Sequence, residues 1–247
     1  MIKGILRRRR VLVEDEADAS TLRNKGYTGI NVGRNLSLDL ATALDLALRK
    51  KISVFRGGAE LNAYQIQRMM SSEERKTAIA FHFLKVKGMK PSVRRGKLYS
   101  SGKRIHVFWD GDQVDFTSFA GKESLAAVVD SEWSCLLYSF TVIGKRRGVS
   151  GNQVAKDGLE DRRGILANNL GKGSRIESGL KFGAEFRVYE GKSSHATFLM
   201  TTGNAVLARD IVARVRISQS VRKRFVQISQ DPKSGTFRLF EIRWVRK

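Results

Sequence analysis

Histidine is scarce in this 247-residue chain, so each of its three copies can be considered separately. His82 lies between two phenylalanines and fits the face of a helix, and His106 lies on an alternating strand with no acid or nucleophile pattern around it. His195 differs, because a short loop separates it from Tyr189, which predicts that the two residues face each other at the mouth of a β-hairpin. Such a pair is more often structural, but it is also the first candidate for acid–base chemistry.

Other catalytic chemistries have weaker support in the sequence. Glu190 and Lys192 have the acid-x-lysine spacing of metal-dependent nucleases, but their loop contains no second carboxylate. The G-x-S-x-G turn of serine hydrolases is absent, and no two histidines have the spacing of a metal-binding pair. The one cysteine, Cys135, excludes an intramolecular disulfide and a zinc site built from cysteines. We therefore expect no metal and no cofactor.

The C-terminal third of the chain, 154–247, must position Tyr189 and His195. A helix is predicted there over about 207–222, because apolar residues recur at four-residue steps. Strand patterns flank this helix on both sides, and a five-residue loop joins the first two strands into a hairpin. The four strands are predicted at 186–189, 196–200, 224–228 and 237–245.

Two further pieces precede this one, and together the three predict an α+β fold. A small N-terminal α/β module spans 1–84 and includes an apolar helix that we expect to begin near Leu36, with Ser37 as its cap. A polar helix is expected over about 62–85 of the same module. The second piece, 85–153, is rich in strand patterns.

The charge of the chain restricts its partners. Lysine and arginine total 46 against 24 acidic residues, a formal net charge of +22. We expect so basic a folded protein to bind a polyanion, most often a nucleic acid. No apolar stretch is long enough to span a membrane and the N-terminal residues lack the apolar core of a signal peptide, so we expect a cytoplasmic protein without membrane contact. The basic run 7–10 either faces RNA or is simply solvated.

Three blocks closely resemble the catalytic domain of archaeal tRNA-splicing endonucleases and occur in the order of that family. They read GLKFGAEFRVY at 179–189, HATFL at 195–199 and VRISQSVRK at 215–223. Weaker blocks resemble the N-terminal domain of the family, at 26–29 and 36–44, and the non-catalytic repeat of its two-repeat members, at 107–114 and 125–132. The resemblance covers most of the chain but is dense only over 179–224.

The resemblance implies a reaction and gives three residues a role in it. Tyr189 would take the proton from a ribose 2′-hydroxyl, His195 would protonate the departing 5′-oxygen, and Lys223 would stabilise the extra negative charge on phosphorus. The products would be a 2′,3′-cyclic phosphate and a 5′-hydroxyl, formed without a metal. A free tyrosine titrates near ~10, so it is a poor base at neutral pH until its phenolate is stabilised, for which a cation such as Lys223 is suited.

The resemblance also implies the substrate and how it is held. The substrate would be an intron-containing pre-tRNA, cut at bulges that helices flank and recognised by shape and splayed bases. Two arginines of the family clasp a bulged base between their guanidinium planes, and stacking of arginine on bases is a general device. By their positions, Arg216 and Arg246 are the candidates here, with Arg243 as the fallback.

The domain organisation is implied in the same way. The residues 1–84 would form the N-terminal module, 85–153 a degenerate non-catalytic nuclease-like repeat, and 154–247 a mixed-sheet catalytic domain like the core of restriction endonucleases. The second copy of the N-terminal module is nearly deleted, with only 159–178 left. The two-repeat arrangement implies a homodimer formed through the C-terminal strand, 237–245, and through repeat contacts, and the deletion makes a different partner subunit the alternative.

The sequence leaves two other functions open. A non-catalytic RNA-binding subunit is expected to lose part of the set Tyr189, His195 and Lys223, and all three are present. A metal-dependent DNA nuclease is suggested by the likeness of the family's C-terminal fold to restriction enzymes, but it needs more carboxylates at suitable spacing. A chelator would abolish the activity of the DNA nuclease alone.

Overall fold

Two compact units make up the chain. The computed structural model describes residues 1–119, 121–146, 163–164, 166–167, 170, 173–231 and 234–246. The first unit consists of Met1–Trp109 and Val129–Cys135, and the second consists of Asp110–Val128 and Leu136–Arg246. In the described part of the chain, no helix is long and apolar enough to cross a membrane.

The first unit combines a six-stranded sheet with helices and three further strands. Its elements are, in chain order, β1 (Ile2–Arg7), β2 (Arg10–Val13), α1 (Glu16–Asn24), β3 (Ile30–Val32), β4 (Asn35–Asp39), α2 (Leu40–Leu48), β5 (Ile52–Arg56), β6 (Ala59–Leu61), α3 (Ala63–Arg68), α4 (Ser72–Val86), β7 (Pro91–Arg94), β8 (Lys97–Ser100) and β9 (Lys103–Trp109). The six-stranded sheet has the order β3-β4-β2-β1-β5-β6, with β1 and β5 parallel. The strands β7, β8 and β9 pair antiparallel.

The helices of the first unit begin at different residues from those that the sequence predicts. Leu36 and Ser37 belong to β4, which pairs with β2, so the expectation that Ser37 caps the helix is wrong. Asp39 caps α2 instead, because its carboxylate accepts a backbone N–H of the first turn. The polar helix expected over 62–85 is two helices, since Ser71 starts α4 with a capping box of its own.

A polar cluster is enclosed in the first unit around Asp45. The Asp45 carboxylate is fully buried, accepts the O–H of Tyr27 at 3.1 Å, and lies 2.7 Å from Nδ1 of His82 and 3.2 Å from Nε of Arg49. The ammonium of Lys85 lies 4.0 Å from the centroid of the Tyr27 ring. Burial, followed by the Asp45 carboxylate, raises the pKa of Tyr27 to about 12. His82 therefore has the structural position on a helix that its sequence suggests.

The second unit is built on a mixed sheet. Its elements are β10 (Gln113–Asp115), β11 (Glu123–Val129), β12 (Cys135–Arg146), β13 (Arg175–Ser178), β14 (Phe186–Tyr189), β15 (Phe198–Thr202), β16 (Ala205–Leu207), α5 (Ala208–Ser220), β17 (Arg224–Gln230) and β18 (Phe237–Trp244). The sheet order in this unit is β13-β14-β15-β17-β18-β12-β11. The strands β15 and β17 are parallel, with α5 in the connection between them, whereas β13–β14, β14–β15 and β17–β18 are antiparallel. The α+β fold class is confirmed.

Packing of four phenylalanine rings stabilises the middle of this sheet. Phe116, Phe119, Phe140 and Phe240 are fully buried, and their ring centroids lie 4.9 to 6.4 Å apart in five pairs. Such pairs contribute about 0.5–1.5 kcal/mol each beyond their buried area. The strands β12 and β18 are therefore held rigidly, which gives β17 and its neighbours a firm support.

The structure bears on the predicted domain boundaries and on the predicted dimer contact. The strands of 85–153 are divided, with β7, β8 and β9 in the first unit and most of β11 and β12 in the second, and the three domain boundaries stay a prediction. The remnant at 159–178 lies largely outside the described residues. The strand β18 offers no edge for pairing with a second copy, because it is hydrogen-bonded to β17 on one side and β12 on the other, and the homodimer itself stays a prediction.

Candidate active site

Three neighbouring strands bring the predicted catalytic residues to one end of the sheet. The first residue of β15, Phe198, pairs with the penultimate residue of β14 and with the first residue of β17. Tyr189 ends β14, Lys223 directly precedes β17, and His195 lies in the loop that leads into β15. Because β14 ends where β15 and β17 begin, all three residues lie at the same end of the sheet.

Backbone and side-chain hydrogen bonds fix the segment that follows His195. Thr197 donates its N–H to β14 at 2.8 Å and accepts the N–H of Arg224 at 3.1 Å. The ammonium of Lys223 donates to the carbonyl oxygen of Ala196 at 2.9 Å. The charge of Lys223 is thereby held against the residue next to the histidine, before any substrate is present.

His195 is exposed in a tight turn. Ser193 makes two bonds with its backbone, accepting the His195 N–H at 3.2 Å and donating its hydroxyl to the His195 carbonyl at 2.8 Å. Among the described residues, the imidazole ring has no hydrogen-bond partner, so both ring nitrogens are available to a ligand. The second strand of the hairpin begins at Phe198 and not at 196, so the connection spans 190–197 and is longer than the sequence predicts.

Tyr189 is the buried member of the set, with 6% of its surface exposed. Its hydroxyl donates a hydrogen bond of 2.9 Å to Oε2 of Glu177 on β13. The guanidinium of Arg175, which pairs with Tyr189 across the two strands, lies 4.2 Å from the centroid of its ring. Arg187 on β14 lies further away, at 6.0 Å from the same centroid, so the nearer cation is Arg175, on a strand that the sequence does not predict.

Glu177 is the residue that the sequence analysis missed. Its Oε1 pairs with Nε of Arg175 at 3.0 Å, and its Oε2 accepts Nη2 of Arg187 at 2.9 Å in addition to the Tyr189 hydroxyl. The strand β13 is only four residues long and ends at the glycine-rich block, which reads as a loop by composition. Only the cross-strand pairing of Glu177 with Arg187 puts the carboxylate near the phenol.

The glycines of the GLKFG block set this register. A Cβ at Gly179 would lie 2.9 Å from the carbonyl oxygen of Ala184, closer than such atoms approach each other. Gly183 adopts a φ of 67°, in the left-handed region, and closes a short 3₁₀ turn over Leu180–Phe182. The turn joins β13 to β14 and determines that Arg175 and Glu177 face the end of β14.

The candidate RNA-binding arginines lie around one end of α5. Arg216 is exposed on this helix, and the Nη2 of Arg246 donates to Gln219 one turn further along, at 3.2 Å. The guanidinium of Arg246 also lies 4.8 Å from the centroid of the Trp244 ring. The structure thus places Arg216 and Arg246 around the same end of the helix.

Arg243 is engaged elsewhere, in a cluster on β18. The buried carboxylate of Glu241 accepts Nε of Arg243 at 2.7 Å and two hydrogen bonds from Arg224, at 2.6 and 2.7 Å. Burial pushes the pKa of Glu241 upward, but the hydrogen bonds from the two arginines outweigh it, so the pKa lies below its usual value. Arg224 also covers the ring of Phe198 at 4.7 Å. This cluster fixes the start of β17, where Lys223 is attached.

Among the described residues, metal ligands do not gather at this end of the sheet. In the part of the chain that the structure describes, no three His, Cys, Asp or Glu side chains come together as a metal site. The expectation that the chain uses no metal and no cofactor stays a prediction.

Comparison with known proteins identifies the family. The model of the tRNA intron endonuclease N-terminal domain matches residues 2–66, and the model of the tRNA intron endonuclease catalytic C-terminal domain matches residues 171–236. Together the two matches cover more than half of the chain. The chain therefore belongs to the tRNA intron endonuclease family, and Tyr189, His195 and Lys223 lie inside the part that matches its catalytic domain.

Curated relatives carry the name tRNA-splicing endonuclease and come from archaea. The relative from Thermococcus gammatolerans is 32% identical over 96 residues, which cover 37% of this chain and 56% of the relative. The relative from Thermococcus onnurineus is 37% identical over 96 residues, with the same coverage. The relative from Pyrococcus furiosus is 27% identical over 158 residues, covering 62% of this chain and 84% of the relative. The chain thus spans just over half the length of the first two of these relatives.

Proposed function

We propose that this chain is a tRNA-splicing endonuclease that cuts pre-tRNA at the boundaries of its introns. The observation that carries the proposal is the placement of Tyr189, His195 and Lys223 at one end of three adjacent strands, inside the segment that matches a catalytic domain of this family. A net charge of +22 suits a polyanionic substrate such as RNA.

The proposed reaction is an in-line attack of a ribose 2′-oxygen on the adjacent phosphate. Tyr189 takes the proton of the 2′-hydroxyl, and His195 gives a proton to the 5′-oxygen as the bond between that oxygen and phosphorus breaks. Lys223 stabilises the charge that develops on the phosphoryl oxygens, and its hydrogen bond to Ala196 supports this role because the cation is positioned in advance. The products are a 2′,3′-cyclic phosphate and a 5′-hydroxyl.

Recognition of the RNA is proposed to depend on the exposed end of α5. Arg246 donates to Gln219, one turn beyond Arg216 on the helix, which supports the binding of a single splayed base by these two arginines. A stacked base is worth about 1–3 kcal/mol. Arg243 is less suited, since its guanidinium is bound to Glu241. The substrate class follows from the curated relatives, whose printed name is tRNA-splicing endonuclease.

The assembly is proposed to be a homodimer, with a surface other than the C-terminal strand as its contact. The strand β18 is paired on both sides within the chain and offers no edge. A different partner subunit is the alternative, and size measurement of the purified chain in solution separates the two.

The test is cleavage of an end-labelled, intron-containing pre-tRNA in excess EDTA. We expect two cuts at the intron ends, with cyclic phosphate termini, and a loss of about 10²- to 10⁴-fold in rate for His195→Ala. His106→Ala is the matched control, because this histidine lies on β9 in the first unit and takes part in no proposed step.

Three outcomes would contradict the proposal. Activity that appears only when a metal is added would favour the restriction-like DNA nuclease. Tight, salt-sensitive RNA binding without cleavage, with or without metal, would favour a binding subunit. Equal losses in His195→Ala and His106→Ala would mean that His195 has no particular role.

A further inference from the structure

The hydrogen bond of Tyr189 poses a chemical problem for its role as a base. The phenol donates its proton to Glu177, so in this arrangement the phenol is neutral. A neutral phenol cannot keep a second proton. Tyr189 can therefore accept the 2′-hydroxyl proton only if its own proton leaves at the same time or beforehand.

Glu177 is placed to receive that proton. Its Oε2 lies 2.9 Å from the Tyr189 oxygen, a distance over which a proton transfers along an existing hydrogen bond. The carboxylate is fixed by Arg175 on its own strand and by Arg187 on β14, so it cannot turn away from the phenol. About a third of its side chain, 36%, is exposed, which gives the proton a route to water afterwards.

We propose that Glu177 is a positioning residue that takes the phenol proton while Tyr189 takes the proton of the ribose 2′-hydroxyl. The inference rests on the proposed function. One O–H bond breaks at the 2′-oxygen and one forms at the Tyr189 oxygen; the original O–H bond of Tyr189 breaks and one forms at Oε2 of Glu177. The 2′-oxygen bonds to phosphorus, and His195 supplies the proton of the leaving 5′-oxygen. Glu177 then loses its proton to water, and His195 regains one from water.

Arg175 contributes to the same transfer. Its guanidinium lies 4.2 Å from the centre of the Tyr189 ring, so it stabilises the negative charge that the phenol carries part-way through the exchange. The charged groups that face Glu177 are Arg175 on β13 and Arg187 on β14, and Arg163 donates to the neighbouring carbonyl of Ile176 at 2.8 Å. Carboxylates other than Glu177 form no hydrogen bond with the Tyr189 hydroxyl among the described residues.

The test is the pH dependence of single-turnover cleavage of the pre-tRNA by Glu177→Gln. The glutamine still accepts a hydrogen bond from Tyr189, so the ring stays in place, but it cannot take the proton. We expect about a 10²-fold slower reaction at pH 7. We also expect the ratio of the variant rate to the wild-type rate to rise towards one as the pH is raised to about 9, because solvent hydroxide can then remove the phenol proton that glutamine cannot take. The proton supplied by His195 affects both enzymes alike and cancels in this ratio.

Controls separate this inference from the proposed function. Glu185→Gln is the matched variant, because Glu185, directly before β14, accepts a hydrogen bond from the Thr202 hydroxyl at 2.7 Å, whereas the Tyr189 hydroxyl donates to Glu177. This variant should cleave at the wild-type rate. Tyr189→Phe should lose about 10²- to 10⁴-fold in rate and should not recover as the pH rises. If the wild type does not cleave, or if Tyr189→Phe cleaves normally, the proposed function is wrong.

A second variant covers the case in which Glu177→Gln folds poorly. Glu177→Ala opens a space beside the phenol, and added formate should restore a large part of its rate, whereas chloride at the same ionic strength should not. The inference is overturned if wild type cleaves, Tyr189→Phe is inactive, and Glu177→Gln keeps both the wild-type rate and the wild-type pH profile. It is also overturned if formate leaves a folded Glu177→Ala variant unchanged.

Discussion

Two regions of this molecule place a tyrosine hydroxyl on a carboxylate, with a histidine and cations close by in each. In the first unit, Tyr27 donates to Asp45, which also holds His82 and Arg49. In the second unit, Tyr189 donates to Glu177 at the end of a sheet, and His195 lies in the loop that follows. Similar residue types thus occur in one closed cluster and in one open site.

The difference is what remains available to a ligand. The Asp45 carboxylate is fully buried and Nδ1 of His82 is occupied, so these groups are engaged within the unit and stabilise it. The Nε of Arg49 forms an ion pair with Asp45 but no hydrogen bond. In the open site the ring of His195 has no partner among the described residues, and Glu177 keeps contact with water. Residue type alone therefore does not separate the structural set from the one proposed for catalysis; the exposure of each set does.

The largest expected effect is on cleavage by the two tyrosine-to-phenylalanine variants. Tyr189→Phe should lose about 10²- to 10⁴-fold in cleavage rate, because it lacks the oxygen that we propose takes the 2′-hydroxyl proton. Tyr27→Phe should cleave pre-tRNA at nearly the wild-type rate. Single-turnover cleavage measures both, and equal rates for the two variants would remove the distinction between the regions.

The next effect is on the free energy of unfolding, where a variant of the closed cluster should show the larger loss. Asp45→Ala leaves buried donors and a cation without their acceptor and should cost about 3–5 kcal/mol. Glu177→Ala should cost less than about 1 kcal/mol, since its ion pairs are partly exposed. Urea unfolding followed by circular dichroism checks this pair, and an Asp45→Ala chain as stable as wild type would show that the closed cluster does not support the fold.

A smaller effect is expected in the pH dependence of stability, which should fall at high pH as Tyr27 ionises. The pKa of Tyr27 is raised from its ordinary value near ~10 to about 12, so the folded state holds this proton more tightly than the unfolded state. Its stabilising contribution is complete below pH ~10 and is lost as the pH rises towards 12. Melting temperatures of wild type and Tyr27→Phe should converge over this range, and a difference that stays constant up to about pH 12 would contradict the prediction.

The smallest effect concerns single arginines. Arg216→Ala removes an exposed cation from α5 and should weaken pre-tRNA binding by about 1 kcal/mol, roughly fivefold, without changing the melting temperature. Arg49→Ala, which removes a cation of the closed cluster, should lower the melting temperature and leave RNA binding unchanged. Filter binding at a fixed salt concentration measures the RNA affinity of both variants, and a thermal scan measures their melting temperatures. A reversed pattern would place the RNA on the first unit.

The sequence predicted the elements of the second unit better than their connections. The helix over 207–222 and the strand at 186–189 agree closely with α5 and β14, because their apolar spacing reflects burial on one face. The start of β15 was placed two residues early, since 196 and 197 are held by hydrogen bonds to neighbouring strands that periodicity does not reveal. In the first unit, the apolar spacing predicts a helix at Leu36 and Ser37, but these residues pair with β2 as part of a strand.

By itself, the sequence determined the family, the α+β class, the basic charge and the three residues proposed for catalysis, because each of these is written in residue types and local spacing. Tertiary structure alone decided that Glu177 and Arg175 contact Tyr189 and that β18 has no free edge. Both depend on which strands lie side by side. That pairing joins residues by register across a sheet, and no periodicity along one strand encodes it.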